Sequence, residues 1–257
     1  MTAHVSRIST TAVKGTALAH PERVLLTLGG VATNRRFHLI DAAGRLVNGK
    51  LLGELARLRT SYADDAGALS VEVPDGPTVT GTVALTDERV ETNFYGRPVP
   101  GTVVDGPWAA AVGDFVGSKL RLVQTDVLGA GVDVYPVTVI SRASLESLRS
   151  ATGGPARRWD DRFRMLFEVD GPAAFEEDTW EGQLFGVGEA VVRVARKVPR
   201  CSVTSDDPAT GRKNFDTLAG LRGAGRHIDG KLMFGVYATV ERPGDVWLGA
   251  PVVPIQD

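Results

Sequence analysis

Cysteine is almost absent from this chain: Cys201 is the only one among 257 residues. A single cysteine excludes an intramolecular disulfide. It also excludes an iron–sulfur cluster held by this chain alone, because such a cluster needs several thiolate ligands. A chain without disulfides fits a reducing compartment, and we therefore expect the protein to be cytoplasmic.

Histidine is scarce as well, and long hydrophobic runs are missing. The four histidines lie far apart and form no H-x-x-x-H pattern, so nothing in the sequence indicates a zinc site. No apolar run approaches the roughly 18 residues of a membrane helix, and the first residues contain no apolar signal core. With a formal net charge of -2, the composition favours neither a nucleic acid nor a membrane as partner.

Glycine and proline are plentiful, with 30 and 14 residues, and they separate short apolar stretches. This texture predicts a mostly β (α+β) fold. Helices are predicted at 107–117, where a proline suits the first turn, and at 141–154, where a serine can cap the start and two glycines the end. A strand is predicted at 162–169. A hairpin is predicted for the segment from Met233 to Val253, with its turn at Pro243-Gly244.

The glycine-rich stretch at 122–132 separates two groups of predicted strands. We therefore expect two domains, at 1–125 and 126–257, each with its own hydrophobic core.

Cys201 is predicted to lie where a long apolar strand meets a polar loop. Its neighbour Arg200 favours the thiolate, which is the form that attacks a substrate or binds a metal. The opposite interpretation is equally open at this point, because free cysteines are often small buried side chains.

Arginines form a second candidate feature. On a strand, Arg162 and Arg164 would project from the same face and could bind a phosphate or carboxylate together. Cross-strand ion pairs with nearby acidic residues are the alternative. The first half of the chain offers further cations, which either reach a shared cleft or lie in solvent: Lys14, Arg35 and Arg36.

Several motifs occur in the order of a known family. They are "TTAVKG", "GVATNRRFHLIDAAGRLV", "PWAAAVGDFVGSKLRL", "VISRASLESL", "RFRML", "EEDTWEG", "PRCSVTSDDPATG", "LAGLRG" and "FGVY". On these motifs the chain resembles the MOSC proteins, which join an N-terminal MOSC β-barrel domain to a MOSC domain and include the mitochondrial amidoxime reducing component and bacterial relatives. The cysteine loop is the most specific match. The resemblance implies two domains, a β-barrel-like MOSC-N domain and a MOSC β-barrel.

The resemblance also implies a cofactor, the molybdenum cofactor (molybdopterin), with Cys201 as the molybdenum ligand. Asp178 and Tyr237 match family positions close to the metal. The residues that the resemblance places on the anionic cofactor are Lys14, Arg35, Arg36, Arg162, Arg164 and Arg200, with Ser141, Ser144 and Thr204 as neutral hydrogen-bonding groups.

The implied activity is the two-electron reduction of small N-hydroxylated compounds, such as amidoximes, hydroxylamines and N-oxides. Electrons would come from a separate electron-donor protein, because one cysteine cannot hold an iron–sulfur cluster. Two alternatives stay open. Cys201 could act as a metal-free thiolate in sulfur transfer or C–S bond chemistry, or the chain could be a non-catalytic carrier of the cofactor.

Three positions depart from the family pattern. Asn34 stands where the family has an aspartate, Leu166 where it has an asparagine, and Ala250 where it has another aspartate. Each change removes a polar or charged group, so we expect altered cofactor binding or substrate choice.

Overall fold

The computed structural model of the chain describes residues 3–255. In the first half the strands are β1 (His4–Ile8), β2 (Arg23–Thr27), β3 (Gly30–Val31), β4 (Phe37–Ile40), β5 (Leu46–Val47), β6 (Arg59–Ala63), β7 (Ala68–Glu72), β8 (Thr78–Thr82), β9 (Ala84–Phe94), β10 (Arg97–Asp105) and β11 (Arg121–Thr125). In the second half they are β12 (Val137–Ser141), β13 (Phe167–Asp170), β14 (Leu184–Val187), β15 (Ala190–Pro199), β16 (His227–Ile228), β17 (Lys231–Arg242), β18 (Gly244–Trp247) and β19 (Val252–Ile255).

The helices are short and few by comparison. The α-helices are α1 (Trp108–Val116), α2 (Arg142–Thr152) and α3 (Thr217–Gly223). Single 3₁₀ turns occur at Gly53–Arg57, Asp160–Phe163, Glu176–Thr179 and Ser202–Ser205. The predicted mostly β fold with some helix is confirmed.

Within residues 3–255 the largest sheet has eight strands, in the order β1-β13-β12-β17-β15-β14-β19, with β16 on β17. Neighbouring strands run antiparallel except β12 and β13, which are parallel. Along β15, Val192 and Val194 are buried and Arg193 between them is only half-buried, so one face of the sheet points inward. The inward side chains, with Phe167 and Val236 among them, form the core of a nearly closed, barrel-like sheet.

The first half of the chain forms a sheet in the order β5-β4-β11-β10-β9 and a separate meander, β6-β7-β8. Helix α1 covers their shared core, and its Trp108 is buried against Phe37 and Leu69 within the same cluster. The indole Nε1 of Trp108 donates a hydrogen bond of 3.0 Å to the carbonyl of Leu69. This bond satisfies the polar end of the indole while its rings contribute apolar area to the core.

Both predicted α-helices are confirmed, together with the caps on α2. The hydroxyl of Ser141 accepts a hydrogen bond from the N–H of Ser144, and Gly153 ends the helix in the left-handed conformation at φ 64°. Gly117 ends α1 in the same way at φ 67°. A serine N-cap and a left-handed glycine are the local signals that such helices need.

The predicted strand at 162–169 is wrong in its first half. Asp160–Phe163 is a 3₁₀ turn, Arg164 has a left-handed backbone at φ 51°, and β13 begins only at Phe167. Phe163 packs edge-on against Trp159 and Phe234, at centroid distances of 5.3 and 4.8 Å. These contacts hold the turn, and Arg162 and Arg164 consequently do not project from one strand face.

The predicted hairpin with its turn at Pro243-Gly244 is also wrong. β18 follows β17 after the single residue Pro243, and it pairs with β2 from the first half instead of with β17, while β19 pairs with β14. Gly244 packs against the backbone of Glu189 so closely that a Cβ would lie 2.5 Å from its carbonyl carbon. Val246 is completely buried beyond this point. Because β1 in turn joins the large sheet, each half of the chain receives a strand from the other.

Candidate functional site

Cys201 lies just beyond the end of β15 and begins the 3₁₀ turn Ser202–Ser205. It is exposed and lines a cleft whose walls come from both halves of the chain. Its carbonyl accepts hydrogen bonds from the backbone N–H of Thr204 at 3.2 Å and from the Thr204 hydroxyl at 2.9 Å. The turn is therefore held from behind, and the thiol is accessible to a ligand in the cleft.

Arg200, beside the cysteine, is held by neutral groups. Its guanidinium donates to the carbonyls of Phe234 and Phe163, each at 2.9 Å, and to the sulfur of Met165 at 2.7 Å. Burial lowers its pKa to about 10, although the charges of Tyr237 and Cys201 oppose this effect. The side chain thus keeps its positive charge at neutral pH, next to the thiol.

Lys14 reaches the same cleft from the first half and forms an ion pair there with Asp133. The Lys14 ammonium lies 2.6 Å from the Asp133 carboxylate and 2.9 Å from the carbonyl of Gly131, and it lies above the ring of Phe94. Burial lowers the pKa of Lys14 to about 8, with Asp133 opposing and Arg35 adding to the shift. Burial would raise the pKa of Asp133, but the nearby cations outweigh it and keep that pKa below its usual value.

Arg35 and Arg164 bring two further guanidiniums to the cleft, both from left-handed backbone positions at φ 54° and 51°. Arg35 donates to the carbonyl of Arg164 at 3.4 Å, and Arg164 donates to the carbonyl of Thr16 at 2.8 Å. Burial, followed by the charge of Arg35, lowers the pKa of Arg164 to about 10. Strained conformations of non-glycine residues are found most often at functional sites.

The charges of the cleft do not balance. Lys14, Arg35, Arg164 and Arg200 face it, and within residues 3–255 no carboxylate lies within ion-pair distance of the three arginines. Asp133 is the carboxylate that acts on all four cations. Grouped cations in a partly desolvated cleft repel each other, and an anion bound between them would relieve that repulsion.

Arg162 lines the cleft but faces the cysteine loop. It donates to the carbonyl of Asp206 at 3.0 Å, to that of Thr204 at 3.4 Å, and to the side-chain oxygen of Asn214. These hydrogen bonds stabilise the conformation of the loop that presents Cys201.

Tyr237 also lines the cleft, from the middle of β17. Its ring packs against Tyr135 at a centroid distance of 5.3 Å, and the Arg196 guanidinium lies 5.6 Å from the centre of the Tyr135 ring. Burial, with the charge of Asp133, raises the pKa of the Tyr237 hydroxyl, while Arg200 opposes the shift. The phenol therefore stays protonated at neutral pH and can donate a hydrogen bond into the cleft.

The structure does not bring four of the predicted site residues to the cleft lining. Arg36 donates to the carbonyl of Thr125 at 2.6 Å. Ser141 and Ser144 are buried at the start of α2, where Ser144 donates to the Glu177 carboxylate at 2.9 Å. Asp178 forms an ion pair with Arg226 at 2.5 Å, and Arg226 lies over the Phe175 ring.

The three departures from the family pattern have local explanations. The side-chain oxygen of Asn34 accepts the backbone N–H of Thr11 at 3.1 Å, a role that needs an acceptor but no charge. Leu166 is buried in the core of the large sheet, and the hydroxyl of Thr138 accepts its backbone N–H. Ala250 is fully buried in the same core.

Two residues of the cleft carry no local sequence signal. Asp133 lies in an irregular segment, 119 positions from its partner Lys14. Tyr95 ends a strand pattern, and its hydroxyl accepts a hydrogen bond of 2.6 Å from the Asn48 amide.

Metal ligands are sparse in this fold. Across residues 3–255, no group of three or more histidine, cysteine, aspartate or glutamate residues is placed to hold a metal ion. In that same range no helix is long and apolar enough to cross a membrane.

The fold and the cleft define a class of protein, a pair of β domains that gather cations around one exposed thiol. Residues 2–118 match the family model described as "MOSC N-terminal beta barrel domain", and residues 126–253 match the "MOSC domain". The chain belongs to the MOSC family and combines these two domains, as the sequence motifs predicted.

Related proteins carry one of two names, amidoxime reducing component or molybdenum cofactor sulfurase. The chain is 26% identical to bovine "Mitochondrial amidoxime reducing component 2" over 93% of its own length and 78% of that protein. It is 32% identical to the rat protein of the same name over 49% of the chain, an alignment that spans 38% of the rat protein. It is 25% identical to "Molybdenum cofactor sulfurase" of Drosophila persimilis over 82% of the chain and 28% of that protein.

A comparison with solved structures finds the YuaD protein from Bacillus subtilis, at 13% identity and a TM-score of 0.48. The alignment covers 100% of this chain and 98% of the other.

Proposed function

We propose that this chain binds the molybdenum cofactor in the cleft and reduces small N-hydroxylated compounds such as amidoximes. The observation that carries the proposal is the exposed thiol of Cys201 in a cleft with four cations, on all of which Asp133 acts. Supporting it, relatives aligned over most of the chain are named amidoxime reducing components.

The donor set of the cleft fits such a cofactor. Cys201 supplies a soft thiolate for the metal. Lys14, Arg35 and Arg164 supply hydrogen bonds and positive charge for an anionic phosphate. The lack of a metal-ligand cluster across residues 3–255 fits a metal that is carried by an organic cofactor and takes one protein ligand.

When bound, the cofactor would supply two-electron redox chemistry, and the net reaction uses two electrons and two protons to turn an N–OH group into N–H and water. The chain's own residues would hold the cofactor and orient the substrate. Arg200 stabilises the negative charge of a bound thiolate from a fixed position. The Tyr237 hydroxyl stays protonated and can donate a hydrogen bond to the oxygen of the substrate. A separate electron-donor protein supplies the electrons in this proposal.

The test is metal analysis of protein made in a host that synthesises the cofactor. We expect about one molybdenum per chain in the wild type and reduction of benzamidoxime with an artificial electron donor. Cys201→Ser should lose molybdenum or about 100-fold in activity, because a serine hydroxyl cannot replace the soft thiolate ligand. Ser202→Ala is the matched control, because Ser202 is the exposed neighbour in the same turn, and it should retain both.

Two outcomes would contradict the proposal. Wild-type protein without molybdenum from a cofactor-producing host would favour a metal-free thiolate enzyme in sulfur transfer or C–S bond chemistry. Bound molybdenum without turnover of any N-hydroxylated compound, with any donor, would favour a carrier.

A further inference from the structure

Tyr95 has a backbone conformation that a tyrosine adopts only with strain. It occupies the tip of the turn between β9 and β10 at φ 55°, followed by Gly96 at φ 97°. Two left-handed residues in succession make the hairpin turn in which Asn-Gly is the preferred pair. A bulky residue with positive φ is strained, and such strained residues are found most often at functional sites.

The Tyr95 side chain points toward the cleft although 65% of the residue is exposed. Its hydroxyl accepts a hydrogen bond of 2.6 Å from Asn48. Partial burial and the charges of Asp133 and Cys201 raise the pKa of this hydroxyl. The strained residue thus ends within electrostatic reach of the thiol, on a turn that comes from the other half of the chain.

A second depression lies on the far side of the Tyr95–Asn48 hydrogen bond. Asn48, Lys50 and Tyr95 line both this depression and the Cys201 cleft. The rest of its wall combines the polar side chains of Arg45, Glu91 and Asn93 with the apolar side chains of Leu46 and Leu51. Among the described residues, the side chains of Lys50 and Glu91 have no hydrogen-bond or ion-pair partner.

We propose that Tyr95 is a specificity-determining residue: bonded to Asn48, it forms a bar between the Cys201 cleft and this second depression and limits how far a substrate extends from the thiol. The inference rests on the proposed function and deepens it. With the bar in place, the chain accepts short N-hydroxylated compounds. Without it, the two cavities join, and the depression accommodates a tail with hydrogen-bonding groups.

The experiment compares three substrates on the molybdenum-loaded protein. They are benzamidoxime, a benzamidoxime lengthened at the para position by a chain that ends in a carboxamide, and its alkyl counterpart of equal length. In Tyr95→Gly we expect kcat/KM for the carboxamide compound, relative to benzamidoxime, to rise about tenfold, the change that one group in a binding pocket commonly produces. The alkyl compound should gain less. Tyr95→Phe, which keeps the ring and loses the bond to Asn48, should show part of this gain through KM.

Control variants distinguish an effect on the shape of the cavity from an effect on folding of the turn. Tyr95→Asn keeps a residue that tolerates positive φ, and it should behave as Tyr95→Gly does even if the glycine loosens the turn. Asp75→Gly is the matched backbone control, because Asp75 also has positive φ before a glycine (φ 58°) and lines neither cavity. It should leave the substrate ratio and the molybdenum content unchanged.

A readout that does not depend on turnover distinguishes this inference from the proposed function. Calorimetry gives the Kd of the three corresponding amidines, and the ratio of long polar to short should fall about tenfold in Tyr95→Gly. If the wild type reduces none of the substrates while the ratio of Kd values shifts in Tyr95→Gly, the proposed function is wrong and the role of Tyr95 as a bar is supported. An unchanged ratio of Kd and of kcat/KM, or amidines that bind to none of the variants, would overturn the bar.

Discussion

At the scale of single residues, Lys14 shows how the cleft combines charge with burial. Its ammonium is buried against the face of the Phe94 ring and paired with Asp133, and burial lowers its pKa to about 8. A cation with this pKa is charged at neutral pH and loses its proton in mild alkali. Binding of an anion in the cleft should therefore weaken as the pH rises through about 8.

The same shift predicts a pH dependence of stability in the cofactor-free protein. In the unfolded chain the ammonium has the ordinary pKa of 10.5, so between pH 8 and 10.5 the unfolded state binds more protons than the folded state. The free energy of unfolding therefore rises with pH in this window. Relative to Lys14→Met, the wild type should gain on the order of 2 kcal/mol between pH 8 and 10.

Urea denaturation of both proteins at the two pH values measures this difference. Lys50→Met, which removes an exposed lysine from the rim of the same cleft, should follow the wild type. Parallel stability curves for the wild type and Lys14→Met would show that burial does not perturb Lys14.

Much of the candidate site could be predicted from the sequence, because motifs place Cys201, Lys14 and the cleft arginines at fixed positions. Asp133 could not be predicted as a site residue, since no spacing rule relates it to a lysine 119 positions earlier. Tyr95 could not be predicted either, since periodicity assigns it to a strand and only the folded turn brings its side chain to the cleft. Whether the predicted residues hold a cofactor stays a prediction.

At the scale of elements, the β1–β13 pair buries charges. Arg7 on β1 donates to Glu168 on β13 at 3.4 Å and also pairs with Asp161 in the 3₁₀ turn that precedes Arg164. Burial raises the pKa of Glu168 to about 7, and Arg7 only partly opposes it. The other charged groups that act on Glu168 are Asp160, Asp161 and Arg142.

Glu168→Gln should therefore change stability in a pH-dependent way. A carboxyl whose folded pKa lies above its unfolded value of 4.5 stabilises the fold below pH 4.5, and this contribution is lost as pH rises through about 7. Glutamine cannot ionise, so the variant should gain about 1–3 kcal/mol relative to the wild type between pH 5 and pH 8. Thermal or urea unfolding at both values checks this. A stability difference that does not vary with pH would mean that Glu168 is ionised throughout.

Elements with local end signals were predictable, and elements defined by distant contacts were not. Ser141 and Gly153 mark α2 within the sequence itself. The turn at Asp160–Phe163 depends on Phe234 and on Arg7, which are far away in the chain. Pro243-Gly244 predicts a hairpin turn, but the chemistry of these two residues cannot specify that β18 pairs with β2.

At the scale of the whole molecule, the two halves meet at a pair of glycines. Gly53 begins a 3₁₀ turn of the first half, and Gly211 lies in the loop that follows Cys201, with φ 70°. A Cβ on either residue would overlap the backbone of the other. This contact allows the cysteine loop to close against the first half.

Gly211→Ala should loosen that contact. Alanine adds a left-handed penalty and a steric overlap, so we expect a loss of about 2–4 kcal/mol in unfolding free energy and a lower molybdenum content. Gly225→Ala is the matched control: its φ is 71°, but a Cβ there would meet open space. It should cost about 1 kcal/mol and keep its molybdenum. Equal losses of unfolding free energy in the two variants would mean that backbone strain alone accounts for the effect of Gly211→Ala.

The pairing of β18 with β2 has a consequence for the order in which the protein is made. Arg23 finds its partner Asp245 only 222 positions later. At a synthesis rate of about 5–20 residues per second, that interval lasts roughly 10–40 seconds. During this time one edge of β2 has no neighbouring strand while it waits outside the ribosome. The sheet around β2 is therefore completed only after translation has passed β18, and until then the open edge can pair with another chain.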